Sequence, residues 1–228
     1  MISRQTSSVD VIKASWAPFT EQLGVTLGVP AVMVFVPFIL VFIPTCAVAF
    51  TVVGGAAFMD KPGWSWSLVP VLGTGCIAFA LLYNALRASW TRMLLKVATG
   101  QPTRFGEMKE IGPSFVNFLL VNFCVGIATV IGALFLFVPG VIIAVRTCLA
   151  PFLVIDEGLG PIEAMQRSNE LVTGYSWDIF LYYVLYHVAN IVCGLVPFIG
   201  AIMPIATMGF FDLALANIYL MRKQPVNA

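Results

Sequence analysis

Long apolar runs dominate this chain of 228 residues and decide what it can fold into. Hydrophobic residues make up 60% of the sequence and charged residues only 10%, whereas soluble domains are about 25% charged. A soluble domain of this size has too little interior to bury so much apolar surface. The composition therefore excludes a soluble globular enzyme, a disordered chain and a nucleic-acid binder. It predicts an all-α fold, a polytopic bundle of membrane helices.

Six apolar runs are long enough to cross a bilayer, which takes about 20 residues. The fourth is the shortest and would also suit a re-entrant half-span. We predict six transmembrane helices within residues 29–222, followed by a cytoplasmic tail at 223–228. The six runs are Pro30–Phe58, Trp66–Val97, Ser114–Val138, Pro139–Ile155, Trp177–Pro197 and Ile199–Met221.

The placement of Lys and Arg predicts the orientation of these helices. With six spans, 10 of the 12 basic residues share the side that holds both termini, Lys61 lies on the other side, and Arg146 lies inside a span. Because Lys and Arg collect in cytoplasmic loops, we expect both termini in the cytoplasm. If the fourth run were re-entrant, the C-terminus with Arg222 and Lys223 would lie outside. This placement would break the rule that Lys and Arg collect in the cytoplasm, so the rule favours a full fourth span. The polar N-terminus predicts no cleaved signal peptide.

Two cytoplasmic segments have the pattern of amphipathic helices. Residues 1–28 are predicted to be a cytoplasmic segment whose amphipathic helix begins after a capping box at residues 7–10, lies in the membrane interface and is bent or ended near Pro18. Residues 160–174 are predicted to form a short helix on the inner surface, with Pro161 in its first turn and Gly174 at its end. The apolar faces predicted for the two helices are Val9, Ile12, Trp16, Phe19 and Leu23, and Ile162, Met165 and Val172.

The first run carries three prolines at intervals of seven residues, Pro30, Pro37 and Pro44. Pro37 and Pro44 each remove a backbone donor and favour a kink. The spacing is compatible with a broken, gating helix of the transporter type. It is also compatible with a bent packing helix, because proline is common in membrane spans.

Polar groups inside a bilayer are costly and are the first candidates for function. At about 1.5 Å per residue, Arg146 is expected about 10 Å below the outer surface, and His187 and Asp212 near the midplane. These residues would line a polar pocket or an ion path. Alternatively, Asp212 pairs with Arg146 or His187 only to satisfy a buried charge. The intramembrane candidates are Arg146, Tyr183, His187, Asn190 and Asp212.

A basic stretch follows the second run and would suit anionic lipid head groups. The same charges would also serve only to set the topology. Its residues are Arg87, Arg92, Lys96, Arg104 and Lys109.

The remaining chemistry-bearing residues predict no active site. The carboxylates Asp156, Glu157, Glu163 and Glu170 are interpreted as a solvated inner surface. The five cysteines are interpreted as packing residues, since no CxxC pair occurs. We therefore predict no catalytic residue, no metal and no cofactor.

The second half of the chain resembles a known family. The motifs are Val138-Pro139-Gly140, the run from Ala150 to Gly158, the run from Gly160 to Ser168, and Gly100-Gln101-Pro102 upstream. They resemble bacterial integral membrane proteins of unassigned function that are similar to the membrane domain of some glycerophosphoryl diester phosphodiesterases. The resemblance covers about residues 75–222. It implies a six-helix fold in the bacterial cytoplasmic membrane and carries no activity, because the phosphodiesterase is a separate soluble domain.

These observations predict a non-enzymatic structural or accessory module of the membrane. Its expected partners are membrane lipids and either a second copy or a larger membrane complex. The alternative is a small-solute or ion transporter, which requires the intramembrane polar residues to face one cavity. A lipid-modifying enzyme is the less favoured third hypothesis, because the titratable residues are scattered.

Overall fold

The computed structural model describes residues 8–58, 64–104, 106–107, 112, 114–135, 137–195 and 199–223. These ranges are mostly helical and contain no β-strand, which confirms the all-α prediction. A π-helical segment, Phe38–Phe42, lies between α3 and α4. The α-helices are α1 Ser8–Ala14, α2 Trp16–Glu21, α3 Leu23–Pro37, α4 Ile43–Phe58, α5 Trp64–Ala98, α6 Phe115–Phe135, α7 Phe137–Thr147, α8 Ala150–Glu157, α9 Pro161–Val172, α10 Ser176–Gly194 and α11 Ile199–Lys223.

Four helical stretches in the described ranges are long and apolar enough to cross a membrane: Leu23–Thr51, Val69–Ala98, Phe115–Phe135 and Val138–Glu157. They correspond to the first four predicted spans and indicate a membrane protein. The fifth and sixth predicted spans form α10 and α11, which are not among the four.

The chain divides into two compact units. The smaller unit is Ala31–Arg87 and the larger joins residues 1–30 to residues 88–228. In the smaller unit the π-helical segment separates Pro37 from Pro44, and the Thr45 hydroxyl donates to the Val41 carbonyl at 2.7 Å. Pro44 has no N–H to donate, so the α-helical hydrogen-bond pattern is interrupted here. The structure thus has a π-helical segment between the two prolines at which the sequence predicts a kink.

In the larger unit, the N-terminal helices α1 and α2 pack against α11, and α1 also packs against α10. The buried face is Val11, Ser15 and Phe19, whereas Trp16 of the predicted apolar face is 61% exposed and Leu23 is also exposed. Phe19 of the predicted apolar face thus packs against protein, whereas the side chains of Val9 and Ile12 lie outside those that the structure describes. Ser15, between α1 and α2, tolerates burial because its hydroxyl donates to the Val11 carbonyl of α1 at 2.8 Å.

A glycine lets the beginning of α3 approach α11 closely. A Cβ atom at Gly209 would overlap the backbone carbonyl oxygen of Thr26 and would lie 3.5 Å from the Pro30 ring. The Thr26 hydroxyl turns back onto its own helix and donates to the Gln22 carbonyl at 3.0 Å. Glycine at small-residue contacts of this kind is the usual means of close helix approach in membranes.

The fourth predicted span is divided into α7 and α8. Pro151 cannot donate to the carbonyl of Thr147, and α7 ends at that residue. The gap is closed by Ser168 of α9, whose hydroxyl donates to the Arg146 carbonyl at 2.8 Å and accepts from the Leu149 N–H at 3.2 Å. Ser168 is fully buried. The backbone break is therefore satisfied by a side chain from another helix.

Helix α9 packs against α6, α7, α8 and α11. Pro161 lies in its first turn and Gly174 adopts a φ of 88° just beyond its end, as predicted. Of the predicted apolar face, Val172 is buried and Ile162 is 70% exposed. The buried face is the small residues Ala164 and Ser168 together with Val172, and small side chains allow a close approach to the neighbouring helices.

Candidate functional site

Asp212 is bonded to a residue that the sequence hypothesis did not include. Its Oδ2 atom accepts a hydrogen bond from the indole Nε1–H of Trp90 at 2.9 Å. Trp90 is fully buried on α5, and Asp212 is half-buried on α11. This contact joins two helices 122 residues apart in sequence. In the sequence, Trp90 lies between Arg87 and Arg92. This position gave only a weak signal for a contact with Asp212, because tryptophans are common at the membrane interface.

The polar stripe predicted on α10 has members in different surroundings. The Asn190 side chain accepts from the Thr207 hydroxyl at 3.1 Å and donates to the Tyr186 carbonyl at 2.9 Å. His187 is exposed and packs its ring against Tyr186 at 5.3 Å. Tyr183 is half-buried, with its ring 5.3 Å from that of Tyr182. The stripe thus contacts α11 through Asn190 and presents His187 outward.

Two further hydrogen bonds attach α11 to its neighbours, and sequence reasoning missed both. The buried Tyr182 hydroxyl donates to the backbone carbonyl of Phe211. The Asn217 amide donates to the Ser15 hydroxyl at 2.8 Å. Together with the Asp212 and Asn190 contacts, they connect α11 to α5, to α10 and to Ser15 at the junction of α1 and α2.

Arg146 is exposed on α7 and lines a cavity of about 430 Å³. The α7 wall consists of Val138, Val141, Ile142, Val145 and Arg146, and the α10 wall of Ser176, Trp177 and Phe180. The sequence placed Arg146 near the outer surface and Trp177 at the cytoplasmic end of the fifth span. The structure brings both residues to one cavity.

The end of α11 is held to α8 by charged and hydroxyl groups. The Tyr219 hydroxyl donates to Asp156 at 2.6 Å, and Lys223 contacts Asp156 at 2.6 Å and Glu157 at 3.4 Å. Burial opposes the charge of Lys223, but its bonds to the two carboxylates outweigh this and raise its pKa. Asp156 and Glu157, which the sequence analysis interpreted as solvated surface, therefore bind the last turn of the helix.

Arg222, next to Lys223, is buried and packs over an aromatic ring. Its guanidinium carbon lies 3.2 Å from the centre of the Tyr175 ring. A cation over an aromatic face contributes most where water is excluded. The C-terminal end of α11 is thus held both by this contact and by the carboxylates of α8.

The basic stretch is partly engaged within the protein. Lys96 forms an ion pair with Glu107 at 2.6 Å, and the Arg92 guanidinium lies where a Cβ atom at Gly112 would stand. Arg104 is exposed, and its backbone N–H donates to the Glu107 carboxylate at 3.3 Å. Arg87 belongs to the smaller unit, and Lys109 lies outside the described residues. Among the proposed head-group residues that the structure describes in the larger unit, Arg104 is the most accessible.

The Lys96–Glu107 pair predicts a pH-dependent stabilisation. The hydrogen bond from Lys96 holds the pKa of Glu107 below its ordinary value of 4.5. A lowered pKa in the folded state contributes stability above pH 4.5 and loses it as the pH falls through the folded value. The melting temperatures of the wild type and of Glu107→Gln should therefore differ at pH 7 and converge in acid. A difference that does not change down to pH 3 would contradict this assignment.

The resemblance to the phosphodiesterase-associated membrane family rests on short motifs. These motifs fall on structured parts of the larger unit, including the α7–α8 break and the beginning of α9. Comparison with known proteins adds nothing to it, since no family model, no curated protein and no solved structure matches this chain.

Proposed function

We propose that this chain is a non-enzymatic integral membrane protein that acts as a structural or accessory module, associating with itself or with another membrane complex. In this proposal it crosses the bacterial cytoplasmic membrane six times, α10 and α11 being the fifth and sixth spans, and both termini are cytoplasmic. The one-sided distribution of Lys and Arg supports the orientation.

The observation that carries the proposal is that polar side chains of α10 and α11 form hydrogen bonds to other parts of the protein. Asp212 bonds to Trp90, Asn190 bonds to Thr207, and Asn217 bonds to Ser15. Interhelical hydrogen bonds of this kind hold membrane helices together. A transport path would instead require these side chains to face a common cavity.

An exposed face of α6 supports association with a partner helix. A shallow groove runs along it past Gly126, and a Cβ atom at this glycine would meet no other atom within 4 Å. Large apolar side chains flank the glycine, among them Phe123, which is 64% exposed. A small residue between exposed apolar ones gives another helix room to approach closely.

Substitutions in the Trp90–Asp212 contact test the structural role. Trp90→Phe removes the indole donor and should destabilise the protein by about 1–2 kcal/mol in detergent unfolding. Asp212→Asn keeps an acceptor oxygen and should cost less. Trp177→Phe, at a residue that is 70% exposed, is the matched control. Full stability of Trp90→Phe would contradict the structural role of this contact.

The association itself is tested by purification in a mild detergent, followed by native mass spectrometry. The proposal predicts either a stoichiometric protein partner or a homo-oligomer that Gly126→Leu weakens. A monomer without a protein partner would contradict it.

A transporter is the second candidate, favoured by the π-helical segment between Pro37 and Pro44. It predicts that liposomes containing the protein leak or transport a solute, and that Arg146→Gln and Asp212→Asn abolish the flux. The exposed positions of Arg146 and His187 count against it. If both variants transport normally, a path through these residues is excluded.

A further inference from the structure

The exposed groove of α6 contains a polar side chain with unused hydrogen-bonding capacity. Within the described residues, Asn122 makes one side-chain hydrogen bond, from its Nδ2 atom to the Phe118 carbonyl of its own helix at 2.8 Å. This bond leaves the Oδ1 acceptor and the second N–H of the amide without a partner in that part of the chain. Asn122 is half-buried and lines the groove together with Gly126, about one turn farther along α6.

The groove lies near the middle of a helix that is long and apolar enough to cross a membrane. Asn122 is seven positions after Phe115, which is about 10 Å along a helix of about 31 Å. If α6 spans the bilayer, the amide is therefore about 5 Å from the midplane, where water is absent. Polar groups without a partner are costly at that depth. An occupant of the groove should therefore supply both a donor and an acceptor.

The shape of the groove suits another helix. Its residues are three neighbouring pairs at intervals of four positions: Asn122 and Phe123, Gly126 and Ile127, and Val130 and Ile131. Rows of residues four positions apart form the ridges and grooves of a helix, and two helices that interlock such rows cross at about −40 to −50°. Gly126 lies in the central pair, so the two backbones can approach closely there. Phe123 and Val130, which are 64% and 59% exposed, would pack on the two sides of the crossing.

The amide of Asn122 favours a second copy of the same chain as the occupant. Two copies in one membrane have the same orientation, so a two-fold axis along the membrane normal places a residue opposite its own copy at the same depth. An amide carries both donors and an acceptor and therefore complements itself. An unrelated helix would need a donor and an acceptor at that same depth, and a lipid acyl chain has neither.

We propose that two copies of the chain form a parallel dimer in which the α6 helices cross at Gly126 and the two Asn122 amides bond to each other. This dimer rests on the proposed association in the membrane and gives that association its partner and its contact residues. The two proposals can fail separately, because the accessory function also allows a different protein as the partner.

Energy transfer between labelled copies tests the dimer. The full chain, with a donor or an acceptor fluorophore at its C-terminus, is reconstituted in vesicles of phosphatidylethanolamine and phosphatidylglycerol and then diluted with lipid. We expect Asn122→Leu to need about three to fifteen times the protein density for half-dimerisation, which is the range for an interhelical hydrogen bond in a membrane. Gly126→Leu should weaken the dimer about tenfold or more, because it separates the backbones. Asn122→Gln keeps the amide and should retain most of the affinity.

Helix α5 supplies matched controls for both substitutions. Asn84 has the same local bond as Asn122, since it donates to the carbonyl four residues before it at 2.9 Å. A Cβ atom at Gly73, like one at Gly126, would meet no other atom within 4 Å. Asn84→Leu and Gly73→Leu should therefore leave the dimer unchanged. Circular dichroism should show the same helix content in all of these variants, which separates lost association from misfolding.

Cross-linking tests the position of the crossing. In a cysteine-free background, Val130→Cys should be joined to its copy by a short bifunctional maleimide. A chain that keeps only the native Cys124, about 120° around the helix from Val130, should not be joined.

Two results would overturn the proposal. The first is a monomer at every protein density; a stoichiometric partner of another kind would then leave the accessory function standing without this dimer. The second is a dimer whose affinity is the same in the wild type, in Asn122→Leu and in Gly126→Leu, which would place the contact elsewhere.

Discussion

Replacing Ser168 with alanine should destabilise the larger unit by about 2–3 kcal/mol. The substitution removes both the donor to the Arg146 carbonyl and the acceptor for the Leu149 N–H. Each buried backbone group left without a partner costs about 1–3 kcal/mol. Rearrangement in the membrane recovers part of this cost. Because Ser168 is fully buried, water cannot replace the hydroxyl without opening the contact.

Unfolding with a denaturing detergent, followed by circular dichroism, measures this effect. Thr173→Ala is the matched control, because it removes a hydroxyl from the end of α9 that is exposed and bonds only within its own helix. We expect the control to change stability by less than about 0.5 kcal/mol. Equal stability of Ser168→Ala and Thr173→Ala would show that the α7–α8 break does not depend on the serine.

Replacing Gly209 with alanine should destabilise the larger unit by a similar amount. Here the cause is an added atom that overlaps a neighbour, whereas Ser168→Ala removes hydrogen bonds. The added Cβ atom would overlap the Thr26 carbonyl oxygen, which belongs to backbone and cannot move aside as a side chain would. Inserting a methyl group into a packed contact typically costs about 1–3 kcal/mol, and the rigid neighbour places this site at the upper end. The beginning of α3 would have to move away from α11.

The control is Gly24→Ala in α3, where an added Cβ atom meets no other atom within 4 Å. Alanine is favoured over glycine within a helix by up to about 1 kcal/mol, so this variant should be unchanged or slightly more stable. The same unfolding measurement applies to both. If Gly209→Ala is as stable as Gly24→Ala, α3 and α11 are farther apart than described.

The sequence predicted well those features that depend on one element at a time. Hydropathy adds up along a segment, so four of the predicted spans appear as long apolar helices. Pro37 and Pro44 act on their own hydrogen-bond pattern, and the π-helical segment lies between them. Pro161 and Gly174 act in the same local way at the two ends of α9.

Features that depend on two elements were predicted poorly. Periodicity gives the face on which Asp212 lies but not the neighbour that meets it, so Trp90 was missed. Hydrophobic periodicity gave the apolar stripe that includes Trp16 but did not indicate that Ser15 is buried. The serine is buried because it bonds to its own backbone and to Asn217, information that appears only when both helices are in place. The same applies to Ser168.

The contact between Ser15 and Asn217 joins parts of the chain 202 residues apart. A ribosome that adds about 5–20 residues per second needs roughly 10–40 s to make that length. The first helices therefore leave the ribosome long before the helix that covers Val11 and Ser15 exists. Until α11 is synthesised, that face must be shielded by lipid, a chaperone or the insertion machinery. Completion of the larger unit thus marks the end of synthesis, and a chain truncated before residue 199 should be recognised as unfinished and degraded.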